Sequence, residues 1–378
     1  MSSIINPDLE MQPSGFVQWN EPDRRRQSFR RLRDLVRHGL TIRAPRVRVL
    51  SKAVDPRIAR LERLARLSAD DAFAAVVVVR DDAIVHERYA PDFDSGQLHS
   101  IMSISKTTMA LAVGRQVAEG TIDPSARVGD YLPEIGSAYS DATVQQVLDM
   151  DWSNNYSEDF ADPASDVWRH EWVAGWRATP EEPPPLRDFL ASFEGGRPNA
   201  SGETDYKDAN TDVLAWIVER VSGRSIREHI LELAEAAGIE STLFVGCDRT
   251  FVPVVSFTMS MTARDLARWG MLLLDGVGVD GQEVGDGSFI RAATTNPGTT
   301  YRLNQRLPEG WHYSNQLMSN GRWVGHLGYA GQWLAVDHET RTVLVWFSVL
   351  ESVSGMEDDY HADLYQTADD VFRLLSVG

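Results

Sequence analysis

Apolar, β-branched runs stand near both ends of this 378-residue chain, and helical periodicity fills the stretch between them. Ala72 to Val79 reads as a strand, Arg80-Asp81-Asp82 as a turn, and Ala83 to Tyr89 as a returning strand, which together make a hairpin. Far downstream, Gln332 to Asp337 and Thr342 to Val349 read as strands again. Helices are predicted over Arg57–Leu67, Thr107–Glu119, Thr143–Met150, Asn210–Val221, Ile226–Ala237, Thr262–Leu274 and Asp358–Leu375. Terminal strands and central helices most simply give an α/β fold. One antiparallel sheet is built from both ends, flanked by helices, with a helical domain inserted. The expected division is a segment 1–70 packed on the body and a catalytic domain 71–378. Its α/β part spans 71–125 and 280–378, and its helical part about 126–279.

Charge narrows the choice of partner. The net charge is -18, which disfavours nucleic acid and anionic membranes as main partners. Residues 21–70 run the other way, with 15 Lys or Arg against 6 Asp or Glu. A basic segment of this kind either reaches for a polyanion or packs on its own acidic body, and the second is the expectation here. The single cysteine, Cys247, allows no internal disulfide and no cysteine metal cluster. No metal or cofactor is expected, and the partner is a small-molecule ester or amide. No charged-then-apolar leader opens the chain and no apolar run is long enough to span a bilayer, so a cytoplasmic location is the expectation.

Of the 37 basic residues only three are lysines, and one of them closes Ser103-Ile104-Ser105-Lys106. A guanidinium stays protonated in a protein, whereas an ammonium can give up its proton and act as a base. Residues i and i+3 share one helix face, so Lys106 could take the Ser103 hydroxyl proton. A capping serine beside a solvent-facing lysine is the plain alternative. The hairpin before Ser103, the apolar helix after it and its Gly120-Thr121-Ile122-Asp123-Pro124 ending strengthen the catalytic reading.

These features resemble the serine β-lactamase and penicillin-binding-protein superfamily. Within it, the chain is most similar to the branch of 6-aminohexanoate-dimer hydrolases and class-C-like (family VIII) carboxylesterases over roughly residues 70–378. The segments that carry the likeness are Ser103–Lys106, Val128–Glu134, Asp162–Asp166, Tyr206-Lys207, Thr262–Asp265 and Gly328–Gln332. The resemblance implies a tyrosine motif, for which Tyr206-Lys207-Asp208 and Tyr313-Ser314-Asn315 both compete. Tyr206 is preferred because it directly precedes a helix of the inserted domain. It implies that the Tyr206 phenol acts as general base and returns the proton to the leaving group, sharing that work with Lys106. Asp208 replaces the usual Asn or Ser, with its charge balanced by Lys207 or Lys106. The third motif is His326-Leu327-Gly328-Tyr329, at a strand start, where His326 stands in for a lysine as a hydrogen-bond donor to substrate. The N–H groups of Ser103 and Tyr329 would form the oxyanion hole. Phe160 occupies the position of a tyrosine that closes on the amide, so a hydrogen bond to the leaving nitrogen is absent.

Residues 151–205 read as a long insertion or lid. Its tryptophans 152, 168, 172 and 176 either anchor it or, as with Trp168, wall a dry substrate pocket. The expected function is acyl transfer through acyl-Ser103, hydrolysing a carboxylic ester or linear amide. The alternatives are a biosynthetic transacylase with an amine or alcohol acceptor, and a non-catalytic penicillin-binding-like receptor.

Overall fold

The computed structural model describes residues 19–160, 162, 164–177, 181–302 and 309–377. In chain order the strands are β1 (Gly39–Ile42), β2 (Ser51–Lys52), β3 (Phe73–Arg80), β4 (Ala83–Tyr89), β5 (His99–Ser100), β6 (Trp152–Ser153), β7 (Arg197–Pro198), β8 (Leu243–Gly246), β9 (Met259–Met261), β10 (Thr299–Thr300), β11 (His312–Ser314), β12 (Leu317–Ser319), β13 (Val324–Gly328), β14 (Gln332–Asp337) and β15 (Thr342–Ser348). The main sheet, among the described residues, runs β10-β11-β12-β13-β14-β15-β3-β4-β2. The two ends of the chain meet where β15 pairs antiparallel with β3, joining Val345 to Val77 and Trp346 to Val76. Every side chain of Val76 to Val79 and of Val343 to Phe347 is buried, because helices cover both faces at the centre of this sheet.

The helices are α1 (Pro22–Ser28), α2 (Leu32–Leu35), α3 (Glu62–Leu67), α4 (Thr107–Ala118), α5 (Val128–Tyr131), α6 (Val144–Leu148), α7 (Asp166–Val173), α8 (Leu186–Ala191), α9 (Asp208–Ser222), α10 (Ile226–Ala237), α11 (Ala263–Asp275), α12 (Gly287–Thr295) and α13 (Asp358–Ser376). Their ends follow local chemistry. Ser225 and Thr262 cap α10 and α11 by accepting the N–H of Glu228 and Asp265. Gly223, Gly238 and Gly276 end α9, α10 and α11 in the left-handed region. Helix α11 lies against β14, β15 and β3.

Several expectations need correction. The helix predicted over 57–67 is broken: a 3-10 turn at Ile58–Arg60 ends at the extended Leu61, and only α3 follows. The loop at 128–133 begins with the short helix α5. The insertion 151–205 contains only the short helices α7 and α8 and the two-residue strands β6 and β7 among its described residues. The sheet is not wholly antiparallel, because β2 joins its edge parallel to β4. A second sheet of order β1-β8-β9-β5 lies partly within the supposedly helical stretch. His326 sits in the middle of β13, not at a strand start.

The basic segment packs on the body. Arg26 and Arg30 both pair with Asp92, Arg63 pairs with Asp363 and Asp370, and Arg66 pairs with Asp363. It is more than packing, however, because β1 and β2 extend both sheets. No helix among the described residues is long and apolar enough to cross a membrane.

Candidate active site

The site is built around a 3-10 turn, Met102–Lys106, that runs directly into α4. Ile101 N–H donates to the Met259 carbonyl of β9 at 3.0 Å, which fixes where the turn begins. Ser105 Oγ donates to the Met102 carbonyl and accepts the Met259 N–H, so the turn is tied internally and to β9. Met102 takes a positive φ of 49°, a strained conformation for a residue with a side chain. The strain sits immediately before Ser103, at the mouth of two adjoining pockets.

Lys106 is fully buried. Its Nζ lies 3.0 Å from Ser103 Oγ, 2.5 Å from Asp208 Oδ1 and 2.9 Å from the Ser256 carbonyl. Asp208 and the carbonyl can accept two N–H bonds. The third tetrahedral position of the nitrogen therefore points at Ser103, as a proton in the ammonium or a lone pair in the amine. Nζ also sits 4.8 Å from the centre of the Tyr206 ring. Burial, and then the carboxyls of Asp208 and Glu158, push the Tyr206 phenol well above its ordinary range, against a smaller lowering by Ser103.

Asp208 opens α9 but does not cap it. Its N–H donates to Glu158 Oε2 at 2.7 Å, which frees the Asp208 side chain for Lys106. Burial, and then the Asp208 charge, raise the Glu158 carboxyl well above the carboxylate range. Lys207, expected as one balance for Asp208, instead pairs with Asp205. Neither Glu158 nor Asp205 was singled out in the sequence, since no spacing marks a carboxyl brought in from a distant loop.

His326 is buried, with Nδ1 2.7 Å from the Leu327 carbonyl and Nε2 3.1 Å from the Tyr313 hydroxyl. A carbonyl can only accept, so Nδ1 carries the proton and Nε2 accepts from Tyr313. Burial, and then Lys106, lower the imidazole to about 3. The expected role of His326 as a donor to substrate is thus corrected: its N–H is already used. Tyr313, the competing candidate for the tyrosine motif, comes back through β11 and packs edge-on against Tyr206 at 6.0 Å.

Gly328 ends β13 against the nucleophile turn. A Cβ there would lie 2.5 Å from the Ile101 carbonyl, so only glycine lets strand and turn approach this closely. Tyr329 follows at the strand end. Its ring stacks on that of Phe160 at 5.8 Å, and Phe160 remains 43% exposed at the pocket mouth. Trp168 packs edge-on against Phe160 and donates its indole N–H to the Asp162 carbonyl. The four tryptophans divide: Trp152 and Trp176 are buried anchors, and Trp176 also walls the Ser103 pocket.

That pocket is also lined by residues which the sequence did not reveal, among them Trp19, Asn20, Val167, Glu171 and Phe257. Glu171 is raised to about 7 by burial, against the lowering effect of Arg177 at 2.7 Å. On the other side of Ser103, Tyr301, Met318, Leu327 and Met356 make a largely apolar wall. No group of three or more potential metal ligands occurs among the described residues.

Ser103 thus lies against a buried lysine, beside the C-terminal end of β13 and the start of α9. A family model described as beta-lactamase matches residues 72–369, and the chain belongs to that family. It is 36% identical over 349 residues to 6-aminohexanoate-dimer hydrolase of Paenarthrobacter ureafaciens, covering 87% of this chain and 86% of that one. A solved structure of a putative 6-aminohexanoate-dimer hydrolase from Bacillus anthracis superposes with a TM-score of 0.79 at 21% identity, covering 93% of this chain and 95% of that one. EstCE1, a hydrolase with promiscuous acyltransferase activity, superposes at 0.61 with 14% identity, covering 82% and 98%. Residues 71–378 are 308 of 378 positions, or 81%. Matches over 87% and 93% therefore extend into the N-terminal segment, beyond the likeness over 70–378 read from the sequence.

Proposed function

We propose that the protein hydrolyses a linear amide or carboxylic ester through an acyl-Ser103 intermediate. The observation that carries this reading is the 3.0 Å contact between Lys106 Nζ and Ser103 Oγ, with the centre of the Tyr206 ring 4.8 Å from the same nitrogen. Ser103 Oγ attacks the carbonyl carbon while its proton passes to the Lys106 amine. The oxyanion is met by the N–H groups of Ser103 and Tyr329. As the C–N or C–O bond breaks, the leaving atom takes a proton relayed from Lys106 through Tyr206. Water then attacks the ester, gives its proton to the same relay, and frees Ser103 and the acid.

The raised Tyr206 phenol supports Lys106 as the base and Tyr206 as the donor, rather than a resting tyrosinate base. The relative named 6-aminohexanoate-dimer hydrolase, 36% identical, supports an amide substrate. Transfer to an amine or alcohol is a second reading, favoured by the aromatic walls Trp19, Trp176 and Phe257 beside Ser103. Incubation with a p-nitrophenyl ester and graded amine acceptors separates the two. Free acid dominating at every acceptor concentration supports hydrolysis, and amide product rising with acceptor supports transfer.

A further inference from the structure

The N-terminal segment does not stop at packing on the sheet; it reaches the catalytic face. Trp19 packs edge-on against Trp176 at 5.0 Å and, with Asn20, walls the pocket that holds Ser103. Asn20 Nδ2 donates to the Tyr329 hydroxyl at 3.3 Å. Arg25 is fully buried and stands 5.2 Å from the centre of the Tyr329 ring. Its guanidinium donates to the carbonyls of Leu350, Ser352 and Asn20, and to Asn20 Oδ1 at 2.8 Å. The Tyr329 ring is thus enclosed. Arg25 and Phe160 lie against it, Asn20 meets its hydroxyl, and the Gly355 backbone is so close that a Cβ there would fall 2.5 Å from that oxygen. The same segment also reaches β5, two residues before the Ser103 turn, since the Phe29 carbonyl accepts the Ser100 N–H at 2.7 Å.

A buried arginine is costly unless every donor is used, and an aromatic face together with four oxygens is an expensive way merely to attach a chain end. What the arrangement fixes is Tyr329, the residue whose N–H faces the developing oxyanion in the mechanism above. We propose that Trp19–Phe29 is a working part of the active site, with Arg25 as a positioning residue that holds the Tyr329 N–H in the oxyanion hole. This rests on the acyl-Ser103 reading.

The test uses the full chain and Arg25→Gln. A lost oxyanion donor costs on the order of 10²-fold in kcat, so kcat is expected to fall about that far with KM within about two-fold. Affinity for an alkylboronic acid, whose tetrahedral serine adduct mimics the oxyanion, is expected to fall in parallel. A lower Tm with kcat and boronate affinity unchanged in the folded protein would overturn the proposal. If Arg25→Gln does not fold, Asn20→Ala, Tyr329→Phe and their double variant decide it. Losses in kcat no larger in the double than in either single support a shared clamp; additive losses, or none, overturn it. Acylation of the wild-type protein is measured alongside. If wild type takes no acyl mass on Ser103, the mechanism and the clamp both fall. If it does and Arg25→Gln retains full kcat, only the clamp falls.

Discussion

At the scale of single residues, the site depends on one fully buried lysine having three polar neighbours. Lys106→Arg retains the charge but cannot supply a base, and the longer planar head does not fit a fully buried pocket. A loss of kcat/KM of about 10³-fold or more is expected with a chromogenic ester, a range typical of losing general-base catalysis. Phe160 tests the leaving-group side. Phe160→Tyr adds a hydroxyl at the pocket mouth, and one new hydrogen bond to a leaving nitrogen is worth about 1 kcal/mol. Amide hydrolysis should rise several-fold while ester hydrolysis stays level; equal rates before and after would remove Phe160 from substrate recognition. Glu171 supplies a pH signature. Burial raises its carboxyl to about 7 in the fold, from an ordinary 4.5. The folded state therefore holds a proton that the unfolded chain has released across that window. By linkage, this group's contribution to stability falls as pH rises from about 4.5 to 7. Glu171→Gln should lack the fall, so urea denaturation at pH 5 and pH 8 should show wild type losing up to roughly 3 kcal/mol relative to the variant.

At the scale of elements, the nucleophile turn and β13 form one unit. Gly328→Val would drive a side chain into the Ile101 carbonyl and Gln332, separating the two N–H groups that share the oxyanion in the proposed mechanism. Expected is a loss of at least about ten-fold in kcat/KM, more than an overpacked strand far from the site would cause; steady-state kinetics with the folded variant check it. The sequence signalled β3, β4, β14, β15 and the helices with clean caps, because period and punctuation are local. It signalled Ser103 and Lys106 because their spacing is also local. It did not signal the partners that close the site from afar. Tyr313 reaches Tyr206 only through the β10–β13 meander, and Glu158 meets Asp208 across 50 positions. His326 was given a donor role because its residue type allows one. The Leu327 carbonyl and Tyr313 hydroxyl that use up both ring nitrogens become visible only when the strands are paired.

At the scale of the whole molecule, the charge imbalance along the chain becomes internal pairing. Arg26, Arg30, Arg63 and Arg66 face carboxylates of the body, so a segment that could suggest a polyanion ligand instead pairs with acidic surface. Arg26 and Arg30 hold the Asp92 carboxyl well below its ordinary range. Asp92 is half exposed, so solvent screening keeps its worth small. Asp92→Asn should cost less than about 1 kcal/mol, and the cost should shrink in concentrated salt, where surface pairs are screened. A large, salt-independent loss in thermal denaturation would mean that this contact carries the segment's attachment. Both the chain-end pairing of β15 with β3 and the arginine contacts close loops of long sequence separation. The catalytic face is thus assembled from the start, middle and end of the chain together.

The central claim, a covalent acyl-Ser103 intermediate, is tested most directly by mass. Wild-type protein mixed briefly with a p-nitrophenyl ester and quenched in acid should gain one acyl group, mapped to the peptide that contains Ser103. The gain should be absent from Ser103→Ala at unchanged fold. An unmodified Ser103 during turnover, or full activity in Ser103→Ala, would contradict the account.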